Sequence, residues 1–255
     1  MRRMLFPFLA LCLAIPVLGF AGDQTVQDLQ HELSVSKIQI EQRDLEITRL
    51  RLEVQQAAVD LGAVQRSGLW PKGQAIPVCW EDPMQTYATE KSWVRDAVVR
   101  TWEQAAAVRF TGWNQCTAGS TAIRIRFNDE GPHVKKLGKG LSGVSDGMVL
   151  NPRFATWSSS CAFPETQREF CIRAIAVHEF GHALAFAHEQ NRMDAPLECQ
   201  RERQGTDGDW NVTIYDPESV MNYCNLRWNN DGTLSALDIQ AVRALYGAPS
   251  SEPAK

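Results

Sequence analysis

The sequence predicts an α/β (α+β) architecture: a domain over residues 76–248 with a twisted mixed sheet and one central helix, preceded by a separate coiled-coil helix. Three observations carry this. Apolar residues recur every seven positions across residues 23–66. From residue 76 onward, strand-like and helix-like stretches follow one another with turn signals between them. Three of the chain's five histidines fall between positions 178 and 188.

Taken in order, residues 1–21 read as a secretory signal. Arg2 and Arg3 precede an apolar run from Met4 to Leu18, and Gly19, Phe20 and Ala21 make a small-x-small cleavage site. Pro7 and Pro16 interrupt the run, which is short for a membrane span; an uncleaved anchor is the alternative. The expected mature form has no stable membrane span, and the chain is placed as secreted or periplasmic. A formal net charge of −4, with no Lys/Arg run, excludes a nucleic-acid partner.

In residues 23–66, Val26, Leu33, Ile40, Ile47, Val54 and Leu61 hold one seam position and Leu29, Leu50, Ala57 and Val64 the other. No Gly or Pro intervenes before Gly62, as a coiled coil requires. Ser36 and Arg43 interrupt the seam. Branched residues at the first seam position favour a parallel homodimer; the alternative is an amphipathic pro-segment folded on the domain. Phe20, Ala21, Gly22 and Asp23 resemble an aspartate motif of pro-segments, but a signal cut after Ala21 would split it.

Residues 67–75 are turn-rich and read as a linker. Residues 76–80 form a first strand. Trp93, Val94, Ala97, Val98, Trp102 and Ala105 keep helical spacing and predict one long packing helix. Ile123, Ile125 and Phe127 alternate with Arg124 and Arg126, the pattern of a half-buried strand. Residues 142–150 form another strand between glycines. Leu237, Val242 and Leu245 give the apolar face of a last helix, capped by Ser235 with Asp238 and ended by Gly247. Residues 249–255 are a disordered tail. Asn211 and Thr213 make a glycosylation sequon, relevant in a eukaryotic source. His31 and His133 read as solvated.

Of seven cysteines, Cys12 lies in the leader and six remain, an even number in an exported chain. The expected pairs are Cys79–Cys116, Cys161–Cys171 and Cys199–Cys224, each closing a loop near an element end.

The chemistry is concentrated in H-E-x-x-H. His178 and His182 are four apart, so one helical turn stacks both rings on the same face, with Glu179 beside them. Two neutral nitrogens suit Zn²⁺, and the carboxylate is placed to take a proton from a metal-activated water. His188 is the third candidate ligand. Six further helical residues would carry it about 9 Å along the axis, so a shared metal requires the helix to stop near Ala185 and the chain to turn back.

His178, Glu179, His182 and His188 at this spacing resemble the metzincin zinc-peptidase signature, and Glu189 is similar to the astacin branch. Ser219 to Tyr223 (S-V-M-N-Y) resembles the methionine turn of that family. The resemblance covers roughly residues 76–247, and matrixin and serralysin domains are also similar. It implies a zincin-type catalytic domain with Zn²⁺ on His178, His182 and His188, Glu179 as general base and Tyr223 as a hydrogen-bond donor to the oxyanion. It further implies that Met221 supports the site from below and that Glu189 pairs with a freed amino terminus or buried water. In the family an edge strand pairs with extended substrate, a role that falls here on residues 142–150. One departure stands out: the family has glycine where this chain has Ala185. A left-handed alanine costs about 1–2 kcal/mol, against about 10 kcal/mol or more for zinc binding.

The expected function is therefore a zinc endopeptidase acting on protein or peptide substrates. The alternatives are a non-catalytic exported coiled-coil protein that binds peptides, and a zinc amidase acting on cell-wall peptides.

Overall fold

A computed structural model describes residues 21–60 and 63–249. The chain divides into two compact units, residues 1–53 and 54–255. The leader expected at residues 1–21, Ala21 apart, lies outside the described residues, as does nearly all of the tail expected at 249–255.

Helix α1 spans Ala21–Asp60 without a break. At 1.5 Å per residue its 40 residues reach about 60 Å. Its seam side chains Val26, Leu29, Leu33, Ile40, Ile47 and Leu50 are all exposed in the single chain. No helix among the described residues is long and apolar enough to cross a membrane.

The second unit is organised on a five-stranded sheet of order β2-β1-β3-β5-β4. Its strands are β1 (Ile76–Trp80), β2 (Phe110–Gln115), β3 (Ile123–Phe127), β4 (His133–Val134) and β5 (Met148–Leu150). The first four in spatial order run parallel, and β4 joins antiparallel to β5. The expected mixed sheet is therefore present, with two differences in detail. Strand β2 has no alternating pattern to announce it, because Gly112 and Trp113 take left-handed backbone (φ 97° and 59°) where the register with β1 slips. Residues 142–150 are not one strand and not the edge. Gly143 and Asp146 turn the chain at positive φ, only Met148–Leu150 is extended, and that strand is buried between β3 and β4. The edge is β4.

Helix α2 (Ala88–Arg100) packs along the central helix α4 (Glu165–Ala183). The single long helix expected through Ala105 is broken at Thr101 (φ −111°, ψ −85°), and a short α3 (Trp102–Ala105) follows. The Thr101 hydroxyl donates to the Ala97 carbonyl at 2.7 Å, competing with the backbone ladder. The break re-aims Trp102, which is fully buried, so that its Nε1 donates to the Val177 carbonyl of α4 at 2.8 Å. From the sheet side, Phe180 of α4 sits edge-on to Phe110 (4.8 Å between ring centroids) and stacks on Trp113 (5.5 Å). Trp102 from one layer and the Phe110–Trp113 pair from the other thus clamp α4 over its histidine-bearing half.

Three disulfides join Cys79 to Cys116, Cys161 to Cys171 and Cys199 to Cys224. They tie β1 to the end of β2, the loop before α4 to its second turn, and α5 (Leu197–Gln200) to the segment after Met221.

The closing helix α6 (Ala236–Tyr246) starts at a capping box: the Ser235 hydroxyl accepts from Asp238 N–H, and the Asp238 carboxylate accepts from Ser235 N–H. The same carboxylate accepts from the Ser219 hydroxyl at 2.6 Å and the Val220 N–H at 3.0 Å. One buried side chain therefore caps the start of a helix and anchors the loop before Met221. Removing it strands three donors, so Asp238→Ala is expected to lower the unfolding free energy by about 3 kcal/mol or more. Urea denaturation measures this, and a change below about 1 kcal/mol would contradict the anchoring role.

Candidate metal centre

Helix α4 carries His178, Glu179 and His182 on one buried face, and the three-histidine set is completed by His188. Ligand atoms of the three histidines all lie within 4.8 Å of one another. His188 Nε2 is 3.2 Å from both His178 Nε2 and His182 Nε2. The route of His188 to this point is the one required by geometry. Helix α4 ends at Ala183, and Ala185 takes φ 71°. The backbone then reverses and returns past the helix end. Ala185 is fully buried and adopts the left-handed conformation at a cost of about 1–2 kcal/mol.

Each ring is turned by a carbonyl behind it. His178 Nδ1 lies 2.8 Å from the Val220 carbonyl, His182 Nδ1 2.7 Å from that of Phe186, and His188 Nδ1 2.9 Å from that of Gln204. A carbonyl can only accept, so each Nδ1 carries the proton and each Nε2 presents a lone pair to the common centre. Burial, then the neighbouring His188, lowers His178 to about 3. Burial and the two other imidazoles hold His182 well below its usual value, and burial lowers His188. Three neutral, inward-facing nitrogens form a ready cation site.

Glu179 is buried and its Oε2 has no hydrogen-bond partner. Burial pushes its pKa up to about 8. An orphaned carboxylate oxygen next to three convergent lone pairs fits a site that holds zinc and a reacting water. Four protein ligands would close such a site, whereas three leave a position open.

Tyr223 stacks on His178 (ring centroids 5.2 Å apart, planes 14° from parallel), with its hydroxyl 3.5 Å from His178 Nε2. Burial, then the Glu179 carboxylate, raises its pKa, so it stays a phenol and a donor. Met221 lies beneath helix α4. A Cβ on Gly181 would fall on the Met221 sulfur, so glycine inside H-E-F-G-H is what lets the methionine seat there. Glu189 is buried away from the cleft, where its carboxylate accepts from Asp216 N–H at 2.8 Å and lies 3.3 Å from Arg192 Nη1. Burial pushes Glu189 up to about 8, partly offset by Arg192. Its backbone N–H donates to the Met221 carbonyl, which couples the third-histidine segment to the methionine.

Several functional groups escaped the sequence reading. The carbonyls of Val220, Phe186 and Gln204 carry no side-chain signal. Gln190 accepts the Tyr223 N–H at 3.1 Å, and Asp238 was legible only as a helix cap. A cleft of about 530 Å³ opens beside His178 and Glu179, walled by Trp157, Ile175, Leu226 and Trp228. A smaller one of about 160 Å³ lies against His133 and Val134 of β4. His133, expected to be solvated, is exposed.

No family model matches the chain, and no curated protein matches it. Among solved structures it is similar to two of myroilysin. The first is 21% identical, covers 72% of this chain and 98% of the other, and has a TM-score of 0.48. The second is 19% identical, covers 74% and 95%, and has a TM-score of 0.47. It is also similar to high choriolytic enzyme 1, a hatching-enzyme zinc-protease from Oryzias latipes (20% identity, 71% and 96% covered, TM-score 0.46). At such identity and overlap, what this chain does is decided on its own site.

Proposed function

We propose that the chain is an exported zinc-dependent endopeptidase. The observation that carries the reading is the meeting of three Nε2 lone pairs with a buried, partnerless Glu179 oxygen at the wall of an open cleft. His178, His182 and His188 would hold the ion, and zinc so held supplies Lewis acidity to a water and to the scissile carbonyl.

The chain's own residues then divide the work. Glu179 takes the proton of the attacking water and returns it to the leaving amine. The Tyr223 hydroxyl donates to the oxygen on which negative charge develops. Edge strand β4, rather than residues 142–150, offers free backbone groups to an extended substrate, so affinity comes largely from main-chain pairing. The cleft walled by Trp157 and Trp228, with Asn222, Asn225 and Asn229 also lining it, takes a substrate side chain next to the scissile bond. Met221 and Glu189 support the site. The Glu189 carboxyl is the group that a freed amino terminus or a buried water would meet.

Export is supported by three disulfides, which persist in oxidising compartments. Helix α1 is proposed as a parallel homodimerisation element, because its seam residues Leu33 and Ile40 stay 58% and 59% exposed in one chain. The pro-segment reading is the competitor. A peptide-binding module is disfavoured by Glu179, since binding alone has no use for an orphaned buried carboxylate.

Glu179→Gln is expected to lower kcat on a quenched peptide library by about 10²–10⁴-fold while one zinc per chain is retained. Equal, zero turnover by wild type and variant with zinc bound would instead support the binding module. Tyr223→Phe should reduce kcat by about 10²-fold with little change in KM; an unchanged kcat would remove Tyr223 from the oxyanion contact. For the helix, sedimentation of the full chain should give a dimer that Leu33→Glu with Ile40→Glu converts to a monomer. A monomeric wild type would favour the pro-segment.

A further inference from the structure

Residues 63–70 lie ahead of the first strand, outside the stretch that carries the zinc motif, where the sequence pattern predicts the end of a coiled coil and a linker. Their hydrogen bonds point elsewhere. Gln65 N–H donates to the Ala185 carbonyl at 2.9 Å, and the Ala63 carbonyl accepts from Ala187 N–H at 2.7 Å. Val64 is buried and bridges antiparallel to both Phe186 and Trp210. Val64 and Trp210 exchange two backbone hydrogen bonds of 3.0 Å. Further along, Trp70 Nε1 donates to the Ala183 carbonyl at 2.8 Å. Three consecutive odd-numbered residues of the turn, Ala183, Ala185 and Ala187, are each bonded by this short segment.

The methyl of Ala185 is accommodated in the same place. A Cβ built on Gly68 would stand 3.2 Å from the Ala185 Cβ, and one on Gly138 would stand 2.8 Å from it and collide with the Gly68 carbonyl. Gly138 also takes φ 55°. Two glycines therefore flank the one alanine that adopts a left-handed conformation at the reversal leading to His188. An ordinary residue held in this region persists only where its surroundings over-determine it, and here the surroundings are a strap and a pair of missing side chains.

We infer that residues 63–70 are part of the metal centre: the Gln65 N–H is a positioning group for His188, acting through the Ala185 turn, and Gly68 with Gly138 forms the niche that lets alanine replace glycine there. This rests on the reading of the three histidines as a zinc site. The role falls on a segment that lies outside the zinc motif in sequence, and the metal site becomes sensitive to whatever alters the chain between helix α1 and strand β1.

The test uses the full chain, with zinc affinity by competition against a chromophoric chelator and the visible spectrum of the cobalt(II) form as readouts. Gln65→Pro deletes the one N–H, whereas Gln65→Ala keeps it. Gln65→Pro should lose about 10–100-fold in zinc affinity and change the cobalt band, the range seen when outer-shell partners are removed. Gln65→Ala should stay within about 2-fold, and adding Ala185→Gly should recover most of the loss, because glycine needs no brace at positive φ. A second pair guards against misfolding of the proline variant. Gly68→Ala should weaken zinc binding, and Gly68→Ala with Ala185→Gly should recover part of the loss, because the approach to the Leu137 carbonyl remains when the Ala185 methyl is gone. A folded Gln65→Pro variant with wild-type affinity and cobalt spectrum overturns the inference, as does failure of Ala185→Gly to rescue either partner. A wild-type chain that binds no zinc overturns the zinc-site reading and this inference together, a result recognisable before any variant is made.

Discussion

Three imidazoles share one centre because each has its far nitrogen held by a carbonyl from a different piece of chain. Val220 belongs to the loop before Met221, Phe186 to the reversal after α4, and Gln204 to the loop beyond α5. A ring so held has a settled tautomer and a settled orientation. Burial keeps all three rings neutral, reinforced at His178 and His182 by their neighbours, so a cation displaces no protons from the imidazoles at neutral pH. The site's quality is thus the joint precision of three segments far apart in sequence, and the fold can be understood as what brings their carbonyls to the right places.

Two clamps supply that precision. One is aromatic: Trp102 from the helix layer and the Phe110–Trp113 pair from the sheet press on the part of α4 between Val177 and Phe180. The other is polar. Asp238 orders the Ser219–Val220 backbone that receives His178, while the Glu189 N–H ties the third-histidine segment to Met221. Buried carboxyls at Glu189 and Asp238 are costly to place, and burial raises both. Backbone N–H and hydroxyl donors, together with Arg192 for Glu189, offset that cost. The cleft side of α4 is by contrast left open, which leaves Glu179 without a partner of its own.

Much of this was legible beforehand, and the reasons are local. Helical spacing of four puts His178 and His182 on one face whatever the surroundings. Alternation announced β3, and the Ser235–Asp238 pair announced α6 with its cap. The misreadings were also local. Thr101 ends α2 through a side-chain bond that competes with the ladder, β2 hides behind a bulge with two left-handed residues, and residues 142–150 contain turns at Gly143 and Asp146 that the apolar pattern masks. The edge strand, only two residues long, lies below any periodicity.

Taken alone, the sequence determined the donor set, the helix that carries two thirds of it, and the need for a reversal near Ala185, because these follow from residue type and from 3.6 residues per turn. Tertiary structure decided which carbonyls orient the rings, which strand lies at the edge and how an alanine sits where a glycine is expected. Those outcomes depend on backbone groups and empty Cβ positions contributed by residues 63–70, 138, 186, 204 and 220, and no pattern in side-chain identity records where such groups meet.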